Sequence, residues 1–376
     1  MDALDDALQK AGAEAFVAYG TSADATLRYL TSFRTSDPII YLKRIGERGT
    51  IVVPAMEVHR AGLESPCSVM SRADAGFFTI LKDEPDPLKA TARVIADLAG
   101  GHILLPPDFP FGLAMEIEPL RSVSVERDAL STLRAIKSPQ EMGMIRRVQQ
   151  ATEDAMNRAI SMIQRSEPVH DQLITPEGEV LTSEMVRYGI HSALLRHGCR
   201  GMDTIVASGE ETADVHLRGS GPITADAPII IDIFPQDEET GYFADMTRTV
   251  VRGEATPEIR EMHAAVSDAQ ILAFSLVRDG ADGSVIYQAV ASHLRDAGYE
   301  TEPNGFVHSL GHGVGLEVHE APGLSSRGST LAAGNVITIE PGLYYPGVGG
   351  VRIEDMGAVT KYGFDRFTRF PEVFCI

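Results

Sequence analysis

Four carboxylates and one histidine in the C-terminal part of this 376-residue chain sit in short, similar surroundings: Asp232 in IIIDIF, Asp245 in YFADMTRT, His312 in LGHGVGL, Glu340 in VITIEPG and Glu354 in VRIEDMG. A charge inside an apolar extended run is costly unless it is paired or meets a cation. Two divalent ions about 3.5–4 Å apart need bridging carboxylates, terminal ligands and an open position for water. Neutral imidazole is a good ligand for zinc, manganese, cobalt or iron. One histidine with four carboxylates can therefore supply a dinuclear site that activates water, whereas a structural zinc site is closed and four-coordinate.

The spacing suggests how the carboxylates meet. Asp232 and Asp245 flank the polar stretch PQDEETG, and a turn centred between Glu238 and Glu239 sets them directly opposite each other. Carboxylates that close raise each other's pKa unless a cation lies between them. The bland alternative is that Asp232 is a buried partner of Arg248 or another base. The same geometry recurs in VITIE and VRIED, which flank LYYPGVGG. A turn centred at Gly347 puts Glu340 level with Glu354, so that two acidic hairpins face one cavity. Chance, or a salt-bridge network, is the competing reading of either hairpin alone.

Between the hairpins lie His308, His312 and His319. In a strand the first two share a face and His319 points away. Gly311, Gly313 and Gly315 allow a bend that returns His319 to the same side.

These side chains need a scaffold. Over residues 1–132, short helices alternate with extended runs (AFVAYG, IIYLKRIG, TIVVPAM, GHILLPP), which predicts a small α/β domain with no chemical cluster of its own. Residues 133–376 are expected to form an α+β domain. Its entry helix is capped by Ser138, has Pro139 in its first turn and Glu141 closing a capping box. Further helices are read in LTSEMVRYGIHSALLRHG and TPEIREMHAAVSDAQILAFSLVRDG. The rest, from residue 201 onward, reads as mostly extended and largely antiparallel.

The bulk numbers narrow the function. A net charge of -20, with 53 acidic against 33 basic residues, repels phosphate backbones and argues against nucleic acid. Cys67, Cys199 and Cys375 are far apart and outside any Cys-x-x-Cys pair, so neither a disulfide framework nor a thiolate site is expected. No apolar run is long enough to span a membrane, and the acidic start MDALDDALQKAG is not a secretory leader. A cytoplasmic protein is the expectation.

Taken together, RAIKSPQEMGMIRR, VASGEETADVH, DIFPQDEETGYFADMTRT, HSLGHGVGLEVHE, TIEPGLY and VRIEDMG resemble the metallopeptidases of the pita-bread fold. That family includes methionine aminopeptidases, Xaa-Pro aminopeptidases, prolidases and the metal-free creatinases. The resemblance implies a pita-bread catalytic domain behind a smaller creatinase-like domain. It implies two divalent ions, manganese first, with cobalt, zinc or iron as alternatives. Asp232, Asp245, His312, Glu340 and Glu354 would be the ligands, with Glu340 also handling the proton of the attacking water. His216, His308 and His319 resemble outer histidines that hold the peptide and stabilise the tetrahedral intermediate, and Arg352 resembles an arginine beside the last ligand. All five metal positions are filled, which argues against creatinase chemistry. One departure is that DIFP and a longer PQDEET excursion replace the usual DxG, which would alter the rim of the cleft. A separate N-terminal domain favours the Xaa-Pro branch, acting on a dipeptide or peptide with proline second, as a homodimer. The alternatives are another aminopeptidase or amide hydrolase on this fold, and a non-catalytic peptide-binding protein.

Overall fold

The computed structural model describes residues 3–376, which divide into two compact units meeting between Arg134 and Ala135. Each is taken by itself.

The N-terminal unit is built on a six-stranded mixed sheet. In spatial order its strands are Ser68–Ser71, Thr50–Val53, Ile39–Arg44, Ala15–Gly20, Ile103–Leu105 and Val123–Val125. Alternation along the strands feeds two cores. Phe16, Ala18, Ile39, Tyr41, Ile51 and Val53 pack on one face, and Ala15, Val17, Ile40, Leu42 and Val52 on the other. Helix Pro87–Ala99 covers the second face; Asp86 caps it by accepting from the Leu88 N–H, and Gly100, at φ +89°, ends it. A short helix, Ala25–Thr31, capped by Asp24, follows the strand Ala15–Gly20.

The C-terminal unit opens with helix Pro139–Arg165. Both reciprocal bonds of its capping box form: the Ser138 hydroxyl accepts from the Glu141 N–H, and the Glu141 carboxylate from the Ser138 N–H. Helices Ser183–Arg196, Pro257–Leu276 and Gly283–Asp296 follow. The last departs from the extended reading of this region. Ile286, Val290, Ala291 and Leu294 are buried along it at helical spacing, and Asp282 caps it by accepting from the Ser284 N–H. Two larger antiparallel sheets, with three two-stranded ones beside them, carry the rest of the described residues. One has three strands, Ile205–Ser208, Pro228–Ile233 and Met246–Val251; the other has five, in the order Glu320–Leu324, Gly311–Gly313, Val336–Ile339, Asp355–Thr360 and Gly363–Arg366. Helix Pro257–Leu276 presents Ile259, Met262, Val266, Ala269 and Ala273 to a core shared with Ile337, Ile339, Val351 and Ile353. That core backs the strands from which Glu340 and Glu354 emerge.

Among the described residues the three cysteines are unpaired, and no helix is long and apolar enough to cross a membrane.

Candidate metal centre

The second acidic hairpin forms in the register expected from its turn. Strands Gly342–Tyr345 and Gly349–Arg352 pair Gly342 with Arg352 and Tyr345 with Gly349. Beyond them, Val336–Ile339 and Asp355–Thr360 pair Ile339 with Asp355 in the same frame. Glu340 and Glu354 fall level with each other where the ladder opens between these two segments. The backbone exposed by that opening finds partners elsewhere. The Gln270 amide, from helix Pro257–Leu276, donates to the carbonyls of Ile339 and Ile353, 3.1 Å each. The Glu340 N–H donates to the Leu310 carbonyl and the Glu354 N–H to the Thr247 carbonyl.

The first hairpin differs from its expected register. Asp232 pairs with Thr247, not Asp245. The cause is the excursion between the strands, which is more than a turn. Gln236–Asp237 pairs with Cys199–Arg200, and the Tyr242 hydroxyl donates to Glu141 at 2.7 Å. Asp245 stands just before its strand, two residues from Thr247, and so lies on the diagonal from Asp232, a relation of about 7–8 Å in a regular ladder. Thr247 fills the place opposite Asp232 and donates its hydroxyl to Glu354 Oε2 at 2.8 Å, tying the two sheets together.

His312 lies in the strand Gly311–Gly313, and a register shift between His312 and Gly313 bends the chain. The bend returns His319, whose ring meets that of His312 edge-on with centroids 4.2 Å apart. The glycines are required here. A Cβ on Gly311 would strike the Thr338 carbonyl, and one on Gly313 the Ala321 carbonyl. His312 Nδ1 faces the Gly313 carbonyl at 3.1 Å, which can only accept, so Nδ1 carries the proton and the Nε2 lone pair is free. That lone pair points at carboxylates, 3.4 Å from Glu340 Oε1 and 3.8 Å from Asp245 Oδ2. Burial, helped by neighbouring His319, pushes the His312 pKa down to about 3, so the ring is neutral across the physiological range.

Asp245, His312 and Glu354 offer ligand atoms that all lie within 4.8 Å of one another, a spacing suited to a divalent cation. The electrostatics agree. Burial, then the neighbouring carboxylates led by Glu354, hold the Asp245 carboxyl well above the usual range. Burial, then Glu340 and Asp232, do the same for Glu354. Glu340 is pushed up to about 8, chiefly by burial, with Arg352 opposing and Asp232 adding. Crowded, desolvated carboxylates of this kind resist ionisation until a cation shares the space. Asp232 Oδ1, Asp245 Oδ1 and Glu354 Oε1 are also buried without a hydrogen-bond partner. Buried polar atoms are otherwise nearly always satisfied. Asp245 and Glu354, each with an orphaned carboxylate oxygen, stand beside the His312 imidazole as a donor set that fits a divalent metal, and Asp232 carries a third such oxygen.

Arg352 is fully buried and donates to Asp232 Oδ2 at 2.8 Å and to the Tyr344 hydroxyl at 2.8 Å. Its ion-pair partner is thus Asp232, while Arg248 pairs with Asp355. The Tyr344 hydroxyl also lies 3.0 Å from His308 Nε2, and His308 Nδ1 lies 2.7 Å from the Ser309 carbonyl. With Nδ1 donating to Ser309, Nε2 accepts from Tyr344, so both nitrogens of His308 are engaged. Burial lowers the His308 pKa to about 3 and raises that of Tyr344 to about 12. His216 is exposed on the stretch after Asp214, near enough to influence His308 and His319 electrostatically. Sequence reasoning missed Thr247, Tyr344 and Gln270. The first two lie inside quoted motifs, but Gln270 sits on a helix with no local signal at all.

The profile of metallopeptidase family M24 matches residues 143–361. The chain is 30% identical over 336 residues to an Xaa-Pro dipeptidase of Pyrococcus horikoshii, covering 88% of this chain and 86% of that one. Its structure is similar to the crystal structure of a prolidase from Pyrococcus horikoshii OT3, with a TM-score of 0.82, 25% identity and 98% of each chain covered. It is also similar to an X-Pro aminopeptidase from Thermotoga maritima MSB8, with a TM-score of 0.79 and 26% identity over 97% of this chain and 98% of that one. Matches to several other curated relatives span between 44% and 66% of those proteins' own length.

Proposed function

The chain belongs to metallopeptidase family M24, and from that premise we propose that it hydrolyses Xaa-Pro peptide bonds with the help of two divalent ions, manganese first among them. The catalytic unit would be the pita-bread domain at 133–376, with residues 1–132 as the smaller preceding domain. Asp232, Asp245, His312, Glu340 and Glu354 would hold the ions. The observation that carries this is the cluster of Asp245, His312 and Glu354, whose two carboxylates, like that of Asp232, each hold a buried oxygen without a partner. Such ions lower the pKa of water and polarise a carbonyl.

The protein's own groups divide the remaining work. Glu340, whose Oε1 lies 3.4 Å from His312 Nε2, would take the proton of the attacking water and return it to the leaving nitrogen. Arg352 pairs with Asp232 and fixes its direction. Tyr344 and His308 brace Arg352 from behind. His308 would reach a peptide only by giving up Tyr344, so direct contact with substrate oxygens falls to His216 and His319. The Xaa-Pro preference is supported by the names of the Pyrococcus and Thermotoga relatives. We also propose a homodimer, which sedimentation would test.

A metal and substrate panel tests the proposal. Metal-stripped protein is given manganese, cobalt, zinc or iron separately, and offered Xaa-Pro dipeptides, Xaa-Pro tripeptides and Met-Ala peptides. Hydrolysis of Xaa-Pro substrates dependent on added metal is expected. Cleavage confined to dipeptides marks a prolidase, and release from longer peptides an aminopeptidase. Preference for Met-Ala, or no hydrolysis with any metal, overturns it.

A further inference from the structure

We infer that Lys137, far from the acidic centre in sequence, is a positioning residue for His319, acting through Glu320. This rests on the functional reading above, in which His319 touches substrate.

Lys137 and Glu320 form an ion pair across 183 residues of chain, with side chains only 1% and 6% exposed. A pair so buried is weak evidence for stability, since apolar residues of equal volume often serve as well. Its placement is more informative. Glu320 directly follows His319 and begins the strand Glu320–Leu324. Gly313 pairs with Glu320 while His312 pairs with Gly323, so residues 314–319 form a loop closed at its base by these two residues. The Glu320 carboxylate lies over Gly315, where any Cβ would collide with it. The Gly315 carbonyl in turn accepts from the Phe243 N–H at 2.8 Å, two residues before Asp245. Glu320 is therefore the point where the His319 loop is held against the His312 strand.

Lys137 is a fixed post from which to hold it. Its N–H donates to the Gly334 carbonyl at 2.8 Å, and Ile136 bridges to Asn335. The Asn335 amide donates to the Ala135 carbonyl, and Ser138 caps the long helix directly after it. An ammonium anchored on both sides orients the carboxylate, and the carboxylate sets the direction of the adjoining imidazole. Outer partners of this kind typically affect activity 10–100-fold.

The test compares Lys137→Met, Lys137→Arg and the double variant Lys137→Met/Glu320→Gln with the wild type, all full length. The readouts are kcat and KM with saturating manganese, bound manganese per chain, the urea unfolding midpoint, and the His319 side-chain NMR resonance in metal-free protein, assigned by its loss in His319→Asn. Lys137→Met is expected to lower kcat about 10–100-fold with KM and bound manganese little changed, and to move the His319 resonance. Lys137→Arg should restore both. The double variant, which buries no lone charge, should recover the unfolding midpoint without recovering kcat. An unmoved His319 resonance in Lys137→Met, or full kcat in the double variant, overturns the inference. A wild type inactive on every Xaa-Pro substrate overturns the functional reading instead, and the resonance comparison still judges the wiring.

Discussion

Adding the metal should flatten the response of the protein's stability to pH, and the size of the effect follows from Glu340. Its carboxyl is pushed from 4.5 to about 8 in the metal-free fold, while in the unfolded chain it ionises near 4.5. A pKa raised by folding contributes stability that is complete below the unfolded value and lost as pH rises through the folded one. Three buried histidines act oppositely. His308 and His312 are lowered to about 3 and His263 to about 4, so their contribution is present above 6.5 and lost as pH falls toward 3. By pH 7.5 the unfolded histidines have shed most of their protons, and from there to pH 9 the carboxyls decide. A fully retained proton gives a slope of about 1.4 kcal/mol per pH unit, and Glu340 is half ionised at about 8, hence a fall of about 0.5–1 kcal/mol across this window. Asp245 and Glu354, also raised, steepen it. Manganese, by holding the carboxylates ionised, should flatten the slope and expel about one proton or more per chain at pH 7. Urea denaturation in EDTA and in manganese at pH 7.5, 8.25 and 9 reads the slope. Titration calorimetry in buffers of different ionisation enthalpy counts the protons. Metal-free stability that stays level or rises from pH 7.5 to 9, or metal binding without proton release, would refute the reasoning.

Three further outcomes follow from single contacts. Arg352→Met leaves Asp232 buried without its guanidinium and should cost about 3–5 kcal/mol in a denaturant titration, with Arg352→Lys recovering only part. His319→Ala should lower kcat by about 10²–10³ while bound manganese stays at the wild-type level; comparable turnover would remove His319 from its role. Gln270→Leu strips the carbonyls of Ile339 and Ile353 of their shared donor. It should weaken manganese binding by about 10–100-fold in an isothermal titration although Gln270 touches no proposed ligand.

What could be read beforehand was whatever local chemistry dictates. Ser138 and Glu141 announce a helix start because both halves of a capping box lie within four residues, and both bonds form. Gly347 fixes the second hairpin because a tight turn leaves one register, and Glu340 and Glu354 come out level. The first hairpin failed for the converse reason. Its connection is tied to Cys199–Arg200 and to Glu141, and those distant partners set the frame that puts Thr247 opposite Asp232. Helix Gly283–Asp296 was hidden by its β-branched Val285, Ile286 and Val290, whose extended bias is overridden by packing of one face against the core. Tyr344 and Gln270 act only through tertiary contact. No spacing rule reports that a hydroxyl will brace an arginine, or that one amide will satisfy two carbonyls where a ladder opens.

Anomalous diffraction from crystals soaked in manganese tests the whole account most directly. Two peaks about 3.5–4 Å apart, enclosed by Asp232, Asp245, His312, Glu340 and Glu354, are the predicted result. Peaks elsewhere, or a well-ordered site that takes up no manganese at all, would contradict it.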